Sequence, residues 1–164
     1  MRTIARRLAT GALAIGIMAG IGVAAAPLAA QAEPPRKSNT KVITFDNLVD
    51  RKITITLCIT RSGGKVRSHA VVKWEPTSSI GLDGIFEKFE FNLRTERDDV
   101  VKSRHAVFAR GPINAESSGE KTYYGDWVTA DSATVWTTDA TVRYNRDGDG
   151  QGDLLWDLTG SPAV

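Results

Sequence analysis

Apolar and polar residues alternate with a period of two over most of the chain beyond residue 40. The most regular stretch is Ile53-Thr-Ile-Thr-Leu-Cys-Ile-Thr60. It sets Ile53, Ile55, Leu57 and Ile59 on one face and Thr54, Thr56, Cys58 and Thr60 on the other, the mark of a half-buried strand; a helix would scatter them around its circumference. Arg61-Ser-Gly-Gly64 reads as a turn. Val66, Ser68, Ala70, Val72 and Trp74 then alternate with Arg67, His69, Val71 and Lys73 up to Pro76. Ile85 to Arg94 repeats the theme, with Ile85, Phe89, Phe91 and Leu93 expected on one face and Phe86, Lys88, Glu90, Asn92 and Arg94 on the other. Val100 to Ala109 is a further strand, ended by Gly111-Pro112. Glu116 to Glu120 reads as a loop. Two more strands are expected over Thr122 to Thr129 and Ala133 to Tyr144, joined by a turn at residues 130–132. A last one covers Leu154 to Thr159, with Leu154, Trp156 and Leu158 on one face. Only Thr95 to Lys102 is polar enough to hide a short helix. Short strands separated by Gly, Asp and Ser predict an all-β fold, an antiparallel β-sandwich of about seven or eight strands, with a β-barrel as the alternative.

The first residues follow a different pattern. Arg2, Arg6 and Arg7 precede an uncharged run from Leu8 to Ala26 made mostly of Ala, Gly, Ile and Leu, and Ala30-Gln31-Ala32 supplies a small-x-small cleavage site. These are the parts of a secretory signal peptide over residues 1–32, with cleavage leaving Glu33 as the new N-terminus. A run this long could nearly span a bilayer, but its Gly and Ala content weakens insertion, so no stable membrane anchor is expected after cleavage. The Arg6-Arg7 pair admits a twin-arginine route, yet Ala9 and Thr10 stand where larger apolar residues belong, which favours the general secretory route. Residues 33–40, EPPRKSNT, lack apolar periodicity and read as a flexible leader. Residues 41–164 form the single domain of an exported protein. Of the 21 basic residues three leave with the signal, and of the 19 acidic ones none, so the net charge falls from +2 to −1. That balance gives no reason to expect nucleic acid as a partner. Cys58 stands alone, so no internal disulfide is available. Its place in the most regular strand predicts a buried thiol and a monomer, against a surface thiol or an intermolecular bridge.

Candidate chemistry is sparse. Asn145, Asp147, Asp149 and Asp153 place oxygen side chains at alternate positions around Gly148, Gly150 and Gly152, which suits calcium. Trp156 stands where a bidentate Glu would complete an EF-type loop, and the same residues serve a solvated hairpin turn. Trp127, Trp136, Tyr123 and Tyr124 form a candidate aromatic platform on which sugar rings could stack, while Trp74 and Trp156 run in phase with Val and Leu and read as core. His69 shares a face with Arg67 and Lys73 and reads as exposed; His105 alternates with Val101 and Val107 and reads as partly buried. Neither belongs to a cluster with metal spacing, and no nucleophile motif is present, so no catalytic residue is assigned. Lys65, Arg67, Lys73, Arg94, Arg97, Lys102, Arg104 and Arg110 could line a basic face, although acidic residues are interleaved with them.

The ending Leu155-Trp-Asp-Leu-Thr-Gly-Ser-Pro162, with the preceding Asp-Gly-Asp-Gly loop, resembles small secreted proteins of actinobacteria that have no assigned activity. The resemblance implies secretion and one all-β domain, and it implies no activity. The leading expectation is a secreted, non-catalytic module that binds an extracellular ligand or protein. The alternatives are a secreted hydrolase and an exported protease inhibitor presenting Glu116 to Glu120.

Overall fold

A computed structural model of the chain describes residues 34–131 and 134–164. The proposed signal peptide and its cleavage residues Ala30, Ala32 and Glu33 lie outside the described residues, as does part of the turn expected at residues 130–132. The strands are β1 (Arg36–Ile43), β2 (Arg51–Ser62), β3 (Lys65–Pro76), β4 (Phe86–Arg97), β5 (Val100–Phe108), β6 (Gly119–Tyr124), β7 (Val128–Thr129), β8 (Trp136–Arg146) and β9 (Leu154–Asp157). They form two open antiparallel sheets, one ordered β1-β2-β3-β6 with β7 also on β3, the other ordered β5-β4-β8-β9. The fold is a β-sandwich. Its interior is the set of alternating apolar residues expected from the sequence, including Ile53, Ile55 and Leu57 from one sheet and Phe89, Phe91, Leu93 and Val142 from the other. Burying each such side chain is worth about 1.5–3 kcal/mol.

Three local expectations are corrected. Residues 36–40, assigned to the leader, open β1, whose backbone pairs from Arg36↔Cys58 to Ile43↔Arg51. The polar composition fits because β1 is an edge strand. Ser38 and Thr40 hydroxyls bond those of Thr56 and Thr54 at 2.9 and 3.0 Å. The Asn39 side chain pairs like a peptide group with Thr159, donating to its carbonyl at 3.0 Å and accepting from its N–H at 2.7 Å. That latch ties the first sheet to the strand-like tail of the second. Next, a bulge between Phe86 and Lys88 reverses the face assigned to the start of β4. Phe86 is buried, in edge-to-face contact with Phe45 and Phe89, while Ile85 is exposed. Finally, the residues after Ala109 form a short helix, α1 (Arg110–Ala115). Pro112 is tolerated in its first turn, Ile113 is its buried anchor, and Asn114 bonds both the N–H and the carbonyl of Phe86.

A buried arginine closes one end of the sandwich. Arg51 is 1% exposed. Its Nε donates to the Gly84 carbonyl at 3.1 Å, and its Nη1 donates to the carbonyls of Glu116 and Ser117 at 3.1 and 2.6 Å. Its Nη2 pairs with Asp83 at 3.3 Å. Burial draws its affinity for the proton down and Asp83 offsets part of that loss. The Trp74 indole donates to the same Glu116 carbonyl at 3.1 Å, and Gly119 fits because a Cβ there would meet the Trp74 ring at 2.5 Å. Two loops and the start of β6 are therefore fixed by one guanidinium. Arg51→Ala is expected to lower the unfolding free energy by about 3–5 kcal/mol, because the carbonyls and Asp83 lose their partner. Arg51→Lys should recover only part of that loss, since an ammonium cannot reproduce the planar fork. Chemical denaturation of both variants checks this.

Candidate functional site

The outer face of the first sheet is set by its register. Arg36, Cys58, His69 and Tyr124 form one row across four strands, Ser38, Thr56, Val71 and Thr122 the next, and Thr40, Thr54, Lys73 and Glu120 a third. Beyond Tyr124 the ladder slips. Tyr124 faces His69, yet Val128 faces Val66, so residues 125–127 oppose only two residues of β3. An extra residue of this kind bends a strand and re-aims its side chains. Gly125 allows the bend, because a Cβ there would collide with the Ser68 hydroxyl, and its N–H donates to the Ser68 carbonyl at 2.9 Å. The slip turns Val128 inward against Val66 and leaves Trp127 on the outer side.

Tyr124 and Trp127 are 49% and 42% exposed. The Arg67 guanidinium carbon lies 4.2 Å from the Tyr124 ring centre and 4.5 Å from that of Trp127. A cation so flanked gains from both ring quadrupoles. Its Nε is buried and has no acceptor among the described residues. His69 packs against Tyr124 with ring centres 5.6 Å apart, and its Nδ1 lies 3.5 Å from the Thr60 hydroxyl. His69 is half-buried rather than fully exposed as expected. Burial, and then the charges of Arg67 and Arg36, hold it below the ordinary imidazole value. Beside it, Pro34, Arg36, Thr56, Cys58, His69 and Glu120 line a depression of about 300 Å³.

Of the four residues assigned to an aromatic platform, two meet here. Trp136 instead is buried with Ile59 and Val66, its indole donating to the Thr134 hydroxyl at 2.7 Å. Tyr123 points inward, as the strand alternation requires once Tyr124 points out, and packs edge-to-face on Phe91 at 5.9 Å. Its hydroxyl is buried without a partner, and burial pushes its pKa up. Trp74 is core, as expected, and Trp156 packs partly buried against the core. Arg67 carried no sequence signal of its own. It was one basic residue among many, and only the slip at residues 125–127 brings the Trp127 ring to it beside that of Tyr124.

Cys58 is buried, as expected. Its thiol points to the Thr56 carbonyl at 4.0 Å, and burial raises its pKa above the ordinary thiol value, against a smaller opposite effect of Arg36. Although Cys58 and His69 are neighbours across the strands, this thiol is not poised as a thiolate nucleophile. His105 is half-buried on edge strand β5. The basic residues are divided between the sheets: Arg67 and Lys73 face out from the first, while Arg94 on the second is engaged by Glu96 and Asp139. The loop at Glu116 to Glu120 commits the carbonyls of Glu116 and Ser117 to Arg51, and Gly119 and Glu120 already belong to β6.

The Asp- and Gly-rich loop follows β8, with Gly148 and Gly150 at positive φ. Its carboxylates are not gathered at one point. Asp149 pairs with Arg146 at 2.7 Å, its other oxygen accepting from the Gln151 N–H at 2.8 Å. Asp153 pairs with Lys88 at 2.6 Å and Arg143 at 3.8 Å. The Asn145 amide donates to Glu87 at 2.8 Å, and Asp147 is exposed. No group of three or more His, Cys, Asp or Glu suited to a metal ion occurs among the described residues. The repulsion that calcium would relieve is met by cations from β4 and β8, which the spacing of the loop does not reveal. Asp149→Ala should therefore cost about 1–3 kcal/mol by leaving the largely buried Arg146 unpaired. Thermal melting of the wild type with ~1 mM calcium and with chelator tests the calcium expectation: a bound ion with a dissociation constant of ~0.1 mM would add about 1.4 kcal/mol, and coincident melts would leave the loop held by these ion pairs alone. Compared with known proteins, the chain matches no protein-family model, no curated protein and no solved structure.

Proposed function

We propose that the domain is an exported, non-catalytic binding module that holds a polysaccharide on the outer face of its first sheet. The observation that carries this reading is the pair of half-exposed rings, Tyr124 and Trp127, held side by side on an open face by the cation between them. Exposed rings of this kind cover the apolar faces of sugars, and fixing them in advance lowers the entropy lost on binding. The rows of Ser and Thr beside them supply hydroxyls. In the Ser38–Thr56 and Thr40–Thr54 pairs one hydroxyl donates to the other, so each pair retains a donor and spare lone pairs for ring hydroxyls. The face is open and shallow, which suits an extended chain better than a small molecule sealed from water. Export rests on the N-terminal pattern of residues 1–32.

Retention on immobilised polysaccharides, neutral and acidic, tests this reading. The wild-type domain should be retarded on at least one of them, and Tyr124→Ala with Trp127→Ala should abolish the retardation. Both side chains are half-exposed, so the double variant should remain folded, as near-ultraviolet dichroism of the buried Trp74 and Trp136 would report. Elution of wild type and variant together in the void volume on every matrix would reject the reading.

A further inference from the structure

The geometry points to an acidic polysaccharide as the ligand, its carboxylate taken by the free edge of Arg67 between the Tyr124 and Trp127 rings. This rests on the polysaccharide reading above and adds the charge of the ligand to it. The guanidinium lies over both rings, contacts that use its charge and not its N–H donors, so its capacity for hydrogen bonds is left to its N–H edges. A planar guanidinium edge matches a planar carboxylate with two parallel hydrogen bonds.

The described residues do not supply that carboxylate. Arg67 makes no ion pair among the described residues, and its Nε is buried with no acceptor. Elsewhere on the same face Lys52 and Lys73 share a carboxylate: Glu75 lies 2.9 Å from Lys52 and 3.3 Å from Lys73. Asp126 lies between the two rings in sequence, yet it is exposed and makes no pair with Arg67. A guanidinium left without a carboxylate by the described residues keeps its capacity for a charge-assisted pair with an acidic ligand. The adjoining rings and hydroxyls favour sugar units over a peptide as the carrier of that carboxylate.

Calorimetric titration with three probes separates the possibilities: polygalacturonate, the same polymer fully methyl-esterified, and poly-L-glutamate. Polygalacturonate should bind, and binding should weaken as salt is raised. Esterification keeps the sugar rings and removes the charge, and should weaken binding by about 10- to 100-fold. Arg67→Gln should weaken polygalacturonate binding by a similar factor while leaving the melting curve close to wild type; Arg67→Lys, which keeps the charge and loses the fork, should fall between the two. Equal binding of the esterified polymer, or no effect of Arg67→Gln in a folded variant, would overturn the carboxylate assignment and leave the polysaccharide reading standing. Poly-L-glutamate binding as tightly as polygalacturonate would overturn the saccharide class itself. Absence of binding to polygalacturonate would overturn the inference, with retention on neutral matrices then deciding the broader reading.

Discussion

The Arg51 guanidinium is buried at one end of the sandwich, and its polar contacts reach two segments, Asp83–Gly84 and Glu116–Ser117, that share no secondary structure with each other. A cation in that position is tolerable only when its donors are met. Arg51 meets this condition with two carbonyls after α1, one carbonyl before β4 and the Asp83 carboxylate. The consequence extends beyond the end of the molecule. Glu116 and Ser117 lead directly into β6, so fixing their carbonyls fixes where β6 begins on β3. The Trp74 indole, bonded to Glu116, is a second restraint on the same segment. From that origin the register runs to Tyr124 opposite His69. The placement of the exposed aromatic pair is thus set at the far end of β6.

The second determinant is the slip at residues 125–127. An unbroken ladder would send Val128 outward and give Arg67 a different neighbour. With one extra residue, Val128 joins Ile59, Val66 and Trp136 inside, and Trp127 stays outside against Arg67. One irregularity therefore improves the core and builds the stack. Arg67 illustrates how a sheet can display a charge without matching it. It lies over two rings, and its Nε has no acceptor among the described residues, unlike Arg51, Arg94 and Arg146, each of which has a carboxylate beside it.

Most of the strands were legible in the sequence because both sheets bury one face and leave the other polar, which writes a period of two into β2, β3, β4 and β8. The parts that were not legible share a cause: their structure is decided by residues distant along the chain. β1 reads as a polar leader because its partners are the hydroxyls of β2 and the backbone of Thr159. Phe86 and Ile85 exchange faces because a bulge shifts the phase that alternation assumes. α1 has six residues and one buried anchor, too few to show a period of 3.6. The same holds for the candidate sites. Asp149 and Asp153 look like metal ligands in isolation, but Arg146, Lys88 and Arg143 occupy them. Tyr124 and Trp127 were recognisable as aromatic residues, whereas the role of Arg67 depends on a register slip that no local pattern announces.

A ligand seated at Tyr124, Arg67 and Trp127 must perturb those side chains before any other surface. Nitrogen-15 correlation spectra of the labelled domain, recorded with increasing galacturonate oligomer, test it most directly because they report arginine Nε–H and indole N–H signals separately. Saturable shifts of the Arg67 Nε–H and Trp127 indole signals are expected, with the signals of Arg51, Trp74 and Trp136 unmoved. Shifts centred on any other surface, or no shift of the Arg67 and Trp127 signals at saturating oligomer, would contradict a ligand seat there.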